Sequence, residues 1–230
     1  MNLDEAQRLV AAVPHWHHTF EILPGLVTPG SYDPRFLLDA LGLPADLSGQ
    51  RVLDIGPSDG FFSLAAQRRG ASVVAVDYRS KEAHGFGAME KITGATFDYH
   101  CANVYDLSAA TLGTFDHVLF LGVLYHLPDM MKALAIVRSL CHGTMYLESH
   151  AANDLPSEHA LARYHRHDAL AGDITNFWSP NAACIRDMAG DCAFDLITDK
   201  TWGDRYFGRF AVSNEPARKR KLQLGYGLCP

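Results

Sequence analysis

A glycine turn flanked by carboxylates is the first feature of this sequence that could bind a ligand. Residues 52–60 read Val-Leu-Asp-Ile-Gly-Pro-Ser-Asp-Gly, so Asp54, Gly56 and Gly60 follow a short apolar run. Glycine at such a turn lets a ligand approach the backbone, and the helix that follows offers free amide groups. Asp54 and Asp59 suit a cationic group. The residues expected to contact the ligand are Asp54, Gly56, Pro57, Ser58, Gly60 and Phe61.

The same turn does not suit a dinucleotide. A dinucleotide-binding dehydrogenase uses Gly-x-Gly-x-x-Gly, which would need glycine at positions 58 and 61 when counted from Gly56. This chain has Ser58 and Phe61 there. Two acids would also repel a pyrophosphate, so the sequence favours a ligand with a positively charged part over a nicotinamide dinucleotide.

A third acid, Asp77, stands where a ribose could be recognised. Asp77 lies 21 residues after Gly56, at the end of the run Val-Val-Ala-Val-Asp. A carboxylate at the tip of a second strand can accept hydrogen bonds from both ribose hydroxyls. Tyr78 and Arg79 follow directly, and Asn103 with Val104 could read an adenine edge after a third strand, although an asparagine in a turn is also common without any ligand.

These residues need a parallel sheet to bring them to one edge. Short β-branched runs alternate with helical stretches from residue 49 to residue 150, the pattern of an α/β sheet covered on both faces. A Gly-containing turn joins two late strand-like runs, which we expect to be antiparallel. The predicted strands are 51–55, 72–76, 96–101, 115–121, 144–148, 194–198 and 206–212, and the predicted helices are 59–69, 80–92 and 129–141.

Together the glycine turn and the strand-end acid resemble class I S-adenosylmethionine-dependent methyltransferases over about residues 49–148. The resemblance implies an α/β, doubly wound, Rossmann-like sheet of seven mostly parallel strands with an antiparallel last strand. It also implies S-adenosyl-L-methionine as the cofactor. We expect residues 1–48 to form an N-terminal helical and loop segment that acts as a lid, and residues 49–230 to form the methyltransferase domain.

Three segments carry a narrower resemblance, to relatives of the tRNA wobble-uridine (mo5U34) methyltransferase family. They are Gly-Val-Leu-Tyr-His at 122–126 with the strand before it, Trp-His-His-Thr-Phe at 16–20 followed by Thr-Pro-Gly at 28–30, and Asn-Phe-Trp-Ser-Pro-Asn at 176–181. The resemblance implies that Tyr125 lies beside the methionine part of the cofactor and that the N-terminal segment covers the pocket. Further cofactor contacts are then expected at Trp16, Gly30 and Leu121.

The chain departs from the tRNA enzyme in ways that bear on its acceptor. It lacks the long basic N-terminal region, and histidines stand where that enzyme uses lysine to bind a carboxylated cofactor. We therefore expect ordinary S-adenosylmethionine and a small-molecule acceptor, with oxygen favoured over nitrogen or carbon. A tRNA-modifying enzyme and a non-catalytic cofactor-binding protein remain as alternatives.

Methyl transfer is an in-line displacement, in which the protein aligns the nucleophile and excludes water. An acceptor with a proton to lose benefits from a base, and histidine titrates near neutral pH. The candidate bases are His17, His18, His126 and His150, each with ordinary packing as the alternative. For His159, His165 and His167 a solvated helix face is favoured over substrate recognition. The candidate substrate-binding residues are Glu148, Arg163, Tyr164, Trp178 and Asn181.

Composition limits the other classes of function. The chain has 230 residues, a formal net charge of −6 and five scattered cysteines without a Cys-x-x-Cys pair, which disfavours nucleic-acid attraction, a disulfide framework and a zinc knuckle. Arg218 to Lys221 is a basic run that favours a solvated tail over an RNA contact. Neither a metal site, a membrane span nor a secretory signal is expected, so a cytoplasmic protein is predicted. The sequence leaves the oligomeric state open.

Overall fold

The structure is a computed structural model that describes residues 1–227, except for the side chains of Arg220 and Lys221. Cys229, which the sequence suggests is exposed, lies outside the described residues. The chain folds into two compact units, the first spanning Met1–Asn103 and the second beginning at Val104.

The first unit contains four helices and five strands, and its core lies between the N-terminal segment and the helices. The helices are α1 (Leu3–Ala12), α2 (Arg35–Leu41), α3 (Phe61–Gln67) and α4 (Phe86–Thr93), and the strands are β1 (Glu21–Leu23), β2 (Leu26–Val27), β3 (Arg51–Ile55), β4 (Ser72–Asp77) and β5 (Asp98–Cys101). Trp16, Phe20, Ile22, Phe86 and Met89 belong to one buried cluster.

Strands β3, β4 and β5 are parallel neighbours in that order. Residues 73–77 of β4 are all buried, as expected for a strand covered on both faces, and this explains its unbroken apolar run. In the β3–β4 register Ile55 is opposite Val76. The carboxyl ends of the two strands therefore meet at one edge of the sheet. The glycine turn follows β3 at this edge, and Asp77 is the last residue of β4.

The second unit contains the remaining helices and strands. The helices are α5 (Ala109–Leu112), α6 (Met130–Leu140), α7 (Ala182–Asp191) and α8 (Pro216–Tyr226), and the strands are β6 (Phe115–Leu121), β7 (Cys141–His150), β8 (Ala162–Tyr164), β9 (Trp178–Pro180), β10 (Phe194–Trp202) and β11 (Arg205–Val212). Its main strands run in the order β10-β11-β7-β6, with β6 parallel to β7. The last strand, β11, is antiparallel to both of its neighbours.

The predicted fold class is confirmed. Three parallel strands in the first unit and four strands in the second make up a seven-stranded, mostly parallel sheet of the doubly wound class, with an antiparallel last strand. Within residues 1–227, no helix combines the length and the apolar character that crossing a bilayer requires.

Several predicted strands have other ends in the structure, such as Cys141–His150 for 144–148 and Phe194–Trp202 for 194–198, and two predicted helical regions differ more. The helix predicted over 80–92 begins only at Phe86, because the preceding residues form turns in which the Gly87 amide donates to the Lys81 carbonyl at 2.8 Å. The solvated helix face predicted around His159, His165 and His167 is wrong. Residues Ala162–Tyr164 form strand β8 instead, since they pair with β9, a distant segment that local periodicity cannot indicate.

Candidate functional site

The glycine turn is held tightly at the end of β3. The Gly56 amide donates to the Val76 carbonyl at 2.8 Å, and the Gly60 amide donates to the Pro57 carbonyl at 2.8 Å. Gly60 has φ +84°, and a β-carbon there would collide with Met89 and Phe86. Only glycine fits such a position without strain. The loop is therefore a rigid part of the first unit, which suits the binding of a ligand against its backbone.

Asp54 is the buried acid at the end of β3. It accepts a hydrogen bond from the Ser63 hydroxyl of α3 at 2.6 Å. Burial raises the pKa of Asp54 to about 6, although the Ser63 hydrogen bond and the nearby His18 act in the opposite direction. This carboxylate is poised to gain or lose its proton close to neutral pH. A cation beside it would favour its ionised form.

Asp59 does not have the ligand-facing role that its position in the loop suggests. Its Oδ2 atom accepts the backbone amides of His17 at 3.0 Å and His18 at 2.7 Å. Its Oδ1 atom contacts Nδ1 of the His18 ring, and the carboxylate is fully buried. Asp59 therefore fastens the N-terminal segment to the glycine turn.

The predicted contacts in the N-terminal segment lie close to that anchor. Trp16 is buried, donates from Nε1 to the Val10 carbonyl at 3.0 Å, and packs so closely on Gly85 that a β-carbon there would meet its ring. Gly30 likewise lies directly against the His18 backbone. His18 is buried beside Phe61 and Phe62, whereas His17 is exposed. The catalytic roles expected of His17 and His18 stay predictions.

Asp77 lies at the tip of β4, where a ribose-binding acid is predicted. Its Oδ1 accepts the backbone amide of Arg79 at 3.0 Å, and the Arg79 guanidinium contacts Oδ1 and Oδ2 at 3.1 and 3.2 Å. Arg79 also contacts His84, while Tyr78 is largely exposed. A ribose would therefore share the carboxylate with Arg79 or displace its side chain. Asn103 ends the first unit, and Val104 is buried at the start of the second.

In the second unit, Tyr125 follows β6 in a short 3-10 turn, Leu124–His126. Its carbonyl accepts the Phe177 amide at 2.9 Å, and its ring lies 4.0 Å from that of His126 between centroids. Nδ1 of His126 is 2.9 Å from the Thr175 hydroxyl. Leu121, the last residue of β6, is half-buried. Both Tyr125 and His126 are thus held by the segment that precedes β9.

Glu148 has a partner that sequence reasoning missed. Its two carboxylate oxygens accept from Nε and Nη2 of Arg205 at 2.5 and 2.7 Å, and its side chain is buried. The guanidinium carbon of Arg205 lies 5.1 Å from the centre of the Tyr125 ring. Glu148 is therefore the counter-ion of Arg205 in this structure, although a substrate-binding role was predicted for it. Arg205 comes to the end of β7 because β11 pairs with β7, where Arg205 is opposite His150, and no local signal in the sequence indicates that pairing.

His150 belongs to a polar cluster at the end of β7. Its Nδ1 atom lies 2.7 Å from the hydroxyl of Ser179, which also lies 2.6 Å from Nε2 of His165. Its Nε2 atom is 3.4 Å from Oδ2 of Asp204. His150, Arg163 and Asp204 line an open pocket of about 460 Å³. Sequence reasoning missed Ser179 and Asp204, because each comes from a segment remote in the chain.

The other predicted substrate residues make structural contacts. Asn181 caps α7 by accepting the Cys184 amide at 2.9 Å, and its amide group donates to the Pro156 and His159 carbonyls. Trp178 donates to the Pro128 carbonyl at 3.1 Å and lies edge-on to Tyr164 at 5.0 Å. Arg163 pairs with Asp154 at 2.7 Å. Their roles toward a substrate stay predictions.

Two further features concern alternative ligands. Among the residues that the structure describes, no group of three or more His, Cys, Asp or Glu side chains converges as a metal site would require. Arg218 of the basic run is already paired, with Asp195 at 2.6 Å and with Glu215 at 2.9 Å.

Comparison with known protein families gives one match that covers most of the chain. Residues 29–187 match the family described as "Methyltransferase domain". Ubiquinone biosynthesis O-methyltransferase of Xanthomonas campestris pv. campestris (strain B100) is 33% identical over 127 residues, which is 54% of this chain and 52% of the relative. The enzyme of the same name from Chromobacterium violaceum is 34% identical over 92 residues, 40% of each chain. The chain thus spans about half the length, or less, of these curated relatives.

Solved structures share the fold. The N-terminal domain of EvdMO1, crystallised with S-adenosylhomocysteine bound, has a TM-score of 0.68 at 21% identity and covers 94% of this chain and 98% of its own. Magnesium protoporphyrin IX methyltransferase from Synechocystis PCC 6803, with bound S-adenosylmethionine, has a TM-score of 0.57 at 20% identity, covering 78% of this chain and 77% of its own. At these identities the likeness concerns the fold alone.

Proposed function

We propose that this chain transfers a methyl group from S-adenosylmethionine to a hydroxyl of a small molecule. The chain belongs to the methyltransferase-domain family of class I, S-adenosylmethionine-dependent enzymes. The observation that carries the proposal is the edge shared by β3 and β4. There a rigid glycine turn and the carboxylate of Asp77 follow two adjacent parallel strands. Ligands of open α/β sheets bind at this edge.

The chemistry of this edge fits the cofactor. S-adenosylmethionine supplies an electrophilic methyl group on a positively charged sulfur, together with an amino acid and a nucleoside. Asp54 provides a negative charge that a cationic amino-acid part can stabilise, and the loop lets the ligand lie against the backbone. The carboxylate oxygens of Asp77 can accept hydrogen bonds from the ribose hydroxyls if the Arg79 guanidinium gives up one of its two contacts with them.

Two observations support a hydroxyl as the methyl acceptor. The curated relatives named above are O-methyltransferases of a biosynthetic pathway, although the chain spans only about half of their length. In addition, His150 brings an imidazole to an open pocket in the second unit. A hydroxyl needs to lose its proton as the methyl group arrives, and a histidine that is neutral near pH 7 can accept it.

The raised pKa of Asp54 predicts how cofactor binding depends on pH. At pH 5 Asp54 is mostly protonated and offers no charge, whereas at pH 7 it is ionised and attracts the cofactor's cationic group. Because the cation lowers the pKa of Asp54, binding releases a proton and strengthens as pH rises through about 6. Titration calorimetry should show affinity about tenfold weaker at pH 5 than at pH 7. Asp54→Asn should remove this dependence, and equal affinity of the unmodified protein at both pH values would contradict it.

A transfer assay with S-adenosylmethionine labelled in the methyl group tests the proposed reaction. We expect label in small hydroxylated compounds and none in tRNA, because the chain has a formal net charge of −6 and Arg218 is already paired with Asp195 and Glu215. Label in tRNA would instead support the narrower resemblance to the wobble-uridine enzymes. Cofactor binding with no transfer to either class would support a non-catalytic cofactor-binding protein.

A further inference from the structure

We propose that His150, Ser179 and His165 form a proton relay in which a proton accepted by His150 at the pocket leaves through Ser179 to His165. The proposal rests on the proposed function, since it names the residues that handle the proton of the methyl acceptor. The contacts that support the relay all join residues of the second unit.

Backbone pairing sets the positions of all three residues. His150 is the last residue of β7, Ser179 is the middle residue of β9, and His165 directly follows β8. Arg163 is opposite Ser179 in the β8–β9 register, and the His165 amide donates to the Phe177 carbonyl at 2.8 Å. The two histidines therefore meet on opposite sides of Ser179 without relying on flexible loops.

The hydroxyl of Ser179 joins the two imidazoles. It lies 2.7 Å from Nδ1 of His150 and 2.6 Å from Nε2 of His165, and Ser179 is fully buried. A hydroxyl has one proton to donate, so Ser179 donates to one ring while it accepts from the other. The protonation of one histidine is thereby coupled to the protonation of the other.

The outer nitrogen of His150 faces the pocket. Oδ2 of Asp204 lies 3.4 Å from Nε2 of His150, and the Asp204 side chain is 72% exposed. A hydrogen bond of that length to a hydrated carboxylate is weak compared with the buried contact to Ser179. A hydroxyl that enters the pocket can therefore take the place of Asp204 beside Nε2.

Burial, together with nearby positive charges, lowers the pKa of both imidazoles and keeps them neutral near pH 7. Burial lowers the pKa of His150, and while Asp204 raises it, Arg205 and His165 lower it further. The Tyr125 ring also lies beside His150, 5.9 Å away between ring centroids. Burial and then Arg163 lower the pKa of His165. A neutral His150 has a lone pair to offer, as a general base requires.

Methyl transfer moves one proton from the acceptor hydroxyl to His165. Before it, His150 donates its Nδ1 proton to Ser179, and Ser179 donates to Nε2 of His165. S-adenosylmethionine, when bound, would supply the methyl group that bonds to the acceptor oxygen, and the electron pair of the broken carbon–sulfur bond would stay on sulfur. The hydroxyl proton moves to Nε2 of His150, the Nδ1 proton moves to Ser179, and the Ser179 proton moves to His165. His150 ends neutral, His165 ends positively charged, and His165 returns its proton to water.

This relay has a signature that needs neither cofactor nor acceptor. A pH titration of the full chain by long-range proton–nitrogen NMR reports the tautomer and charge of each histidine ring. We expect His150 to be protonated at Nδ1 at high pH. As the pH falls and His165 becomes charged, His150 should switch to the Nε2 tautomer and stay neutral. A His150 that keeps one tautomer, or that becomes charged together with His165, would overturn the relay.

Variants separate the relay from mere packing. Ser179→Ala should abolish the tautomer switch while His165 still titrates. His165→Gln keeps a hydrogen-bonding group beside Ser179 but cannot take a charge, so His150 should then become charged itself, and this second variant decides the case if Ser179→Ala folds poorly. His159→Gln removes an exposed histidine and should leave the switch unchanged. A switch that survives in both relay variants would overturn the proposal, whatever the outcome of the cofactor experiments.

Discussion

Replacing Asp59 with alanine is expected to lower the free energy of unfolding by about 3–5 kcal/mol. The buried carboxylate accepts the backbone amides of His17 and His18 and also contacts the His18 ring. Alanine would leave these donors without an acceptor, and each unsatisfied buried group costs about 1–3 kcal/mol. Urea denaturation followed by circular dichroism measures the loss.

Two variants provide the controls for this prediction. Asp59→Asn keeps one oxygen for the two backbone amides and should lose clearly less stability than Asp59→Ala. Asp39→Ala removes an exposed carboxylate of α2 and should stay within about 0.5 kcal/mol of the unmodified protein. If Asp59→Ala were as stable as Asp39→Ala, Asp59 would not be the anchor of the N-terminal segment.

Glu148→Gln is expected to cost about 2–4 kcal/mol of stability, because it leaves the Arg205 guanidinium largely desolvated without a counter-ion. The side chains of Glu148 and Arg205 are only 6% and 26% exposed, and two short hydrogen bonds join them. The expected loss of stability is smaller than for a fully buried pair because Arg205 keeps some contact with water. Chemical denaturation again provides the measurement.

A double variant tests whether the cost comes from the unpaired charge. Glu148→Gln combined with Arg205→Met removes both charges, so it should be more stable than Glu148→Gln alone. Glu158→Gln, at an exposed position, serves as the matched control. A double variant less stable than the single variant would show that Arg205 contributes mainly through packing on Tyr125.

The sheet could be predicted because its signals are local. The apolar runs of β3 and β4 and the acids that end them follow from burial on both faces and from the turn chemistry of Gly56 and Gly60. By contrast, Asp59 was expected to face a ligand, because it lies among the predicted ligand contacts of the glycine turn. Its actual partners, His17 and His18, lie about 40 residues earlier in the chain.

In the second unit, too, the partners of the predicted residues come from distant parts of the chain. Glu148 and His150 were found as polar residues at the end of a strand, but their partners Arg205 and Ser179 come from segments 57 and 29 residues away. Local periodicity could not place them, since the pairing of β8 with β9 and of β11 with β7 decides which side chains meet. His150 was recognised as a candidate base, whereas His165 was assigned to a solvated helix face and the Ser179 hydroxyl that joins the two was not singled out.

The central claim, that the edge of β3 and β4 binds S-adenosylmethionine, is tested most directly by calorimetric titration of the unmodified protein and of Asp77→Ala. Loss of two hydrogen bonds to an ionised acceptor should weaken binding by about 2–4 kcal/mol, or roughly 30- to 1,000-fold. Asp98→Ala removes an exposed carboxylate from β5 and should bind as the unmodified protein does. The unmodified protein is expected to bind S-adenosylmethionine saturably, and of these two variants only Asp77→Ala should weaken the binding. Absence of binding to the unmodified protein, or an unchanged dissociation constant in Asp77→Ala, would contradict it.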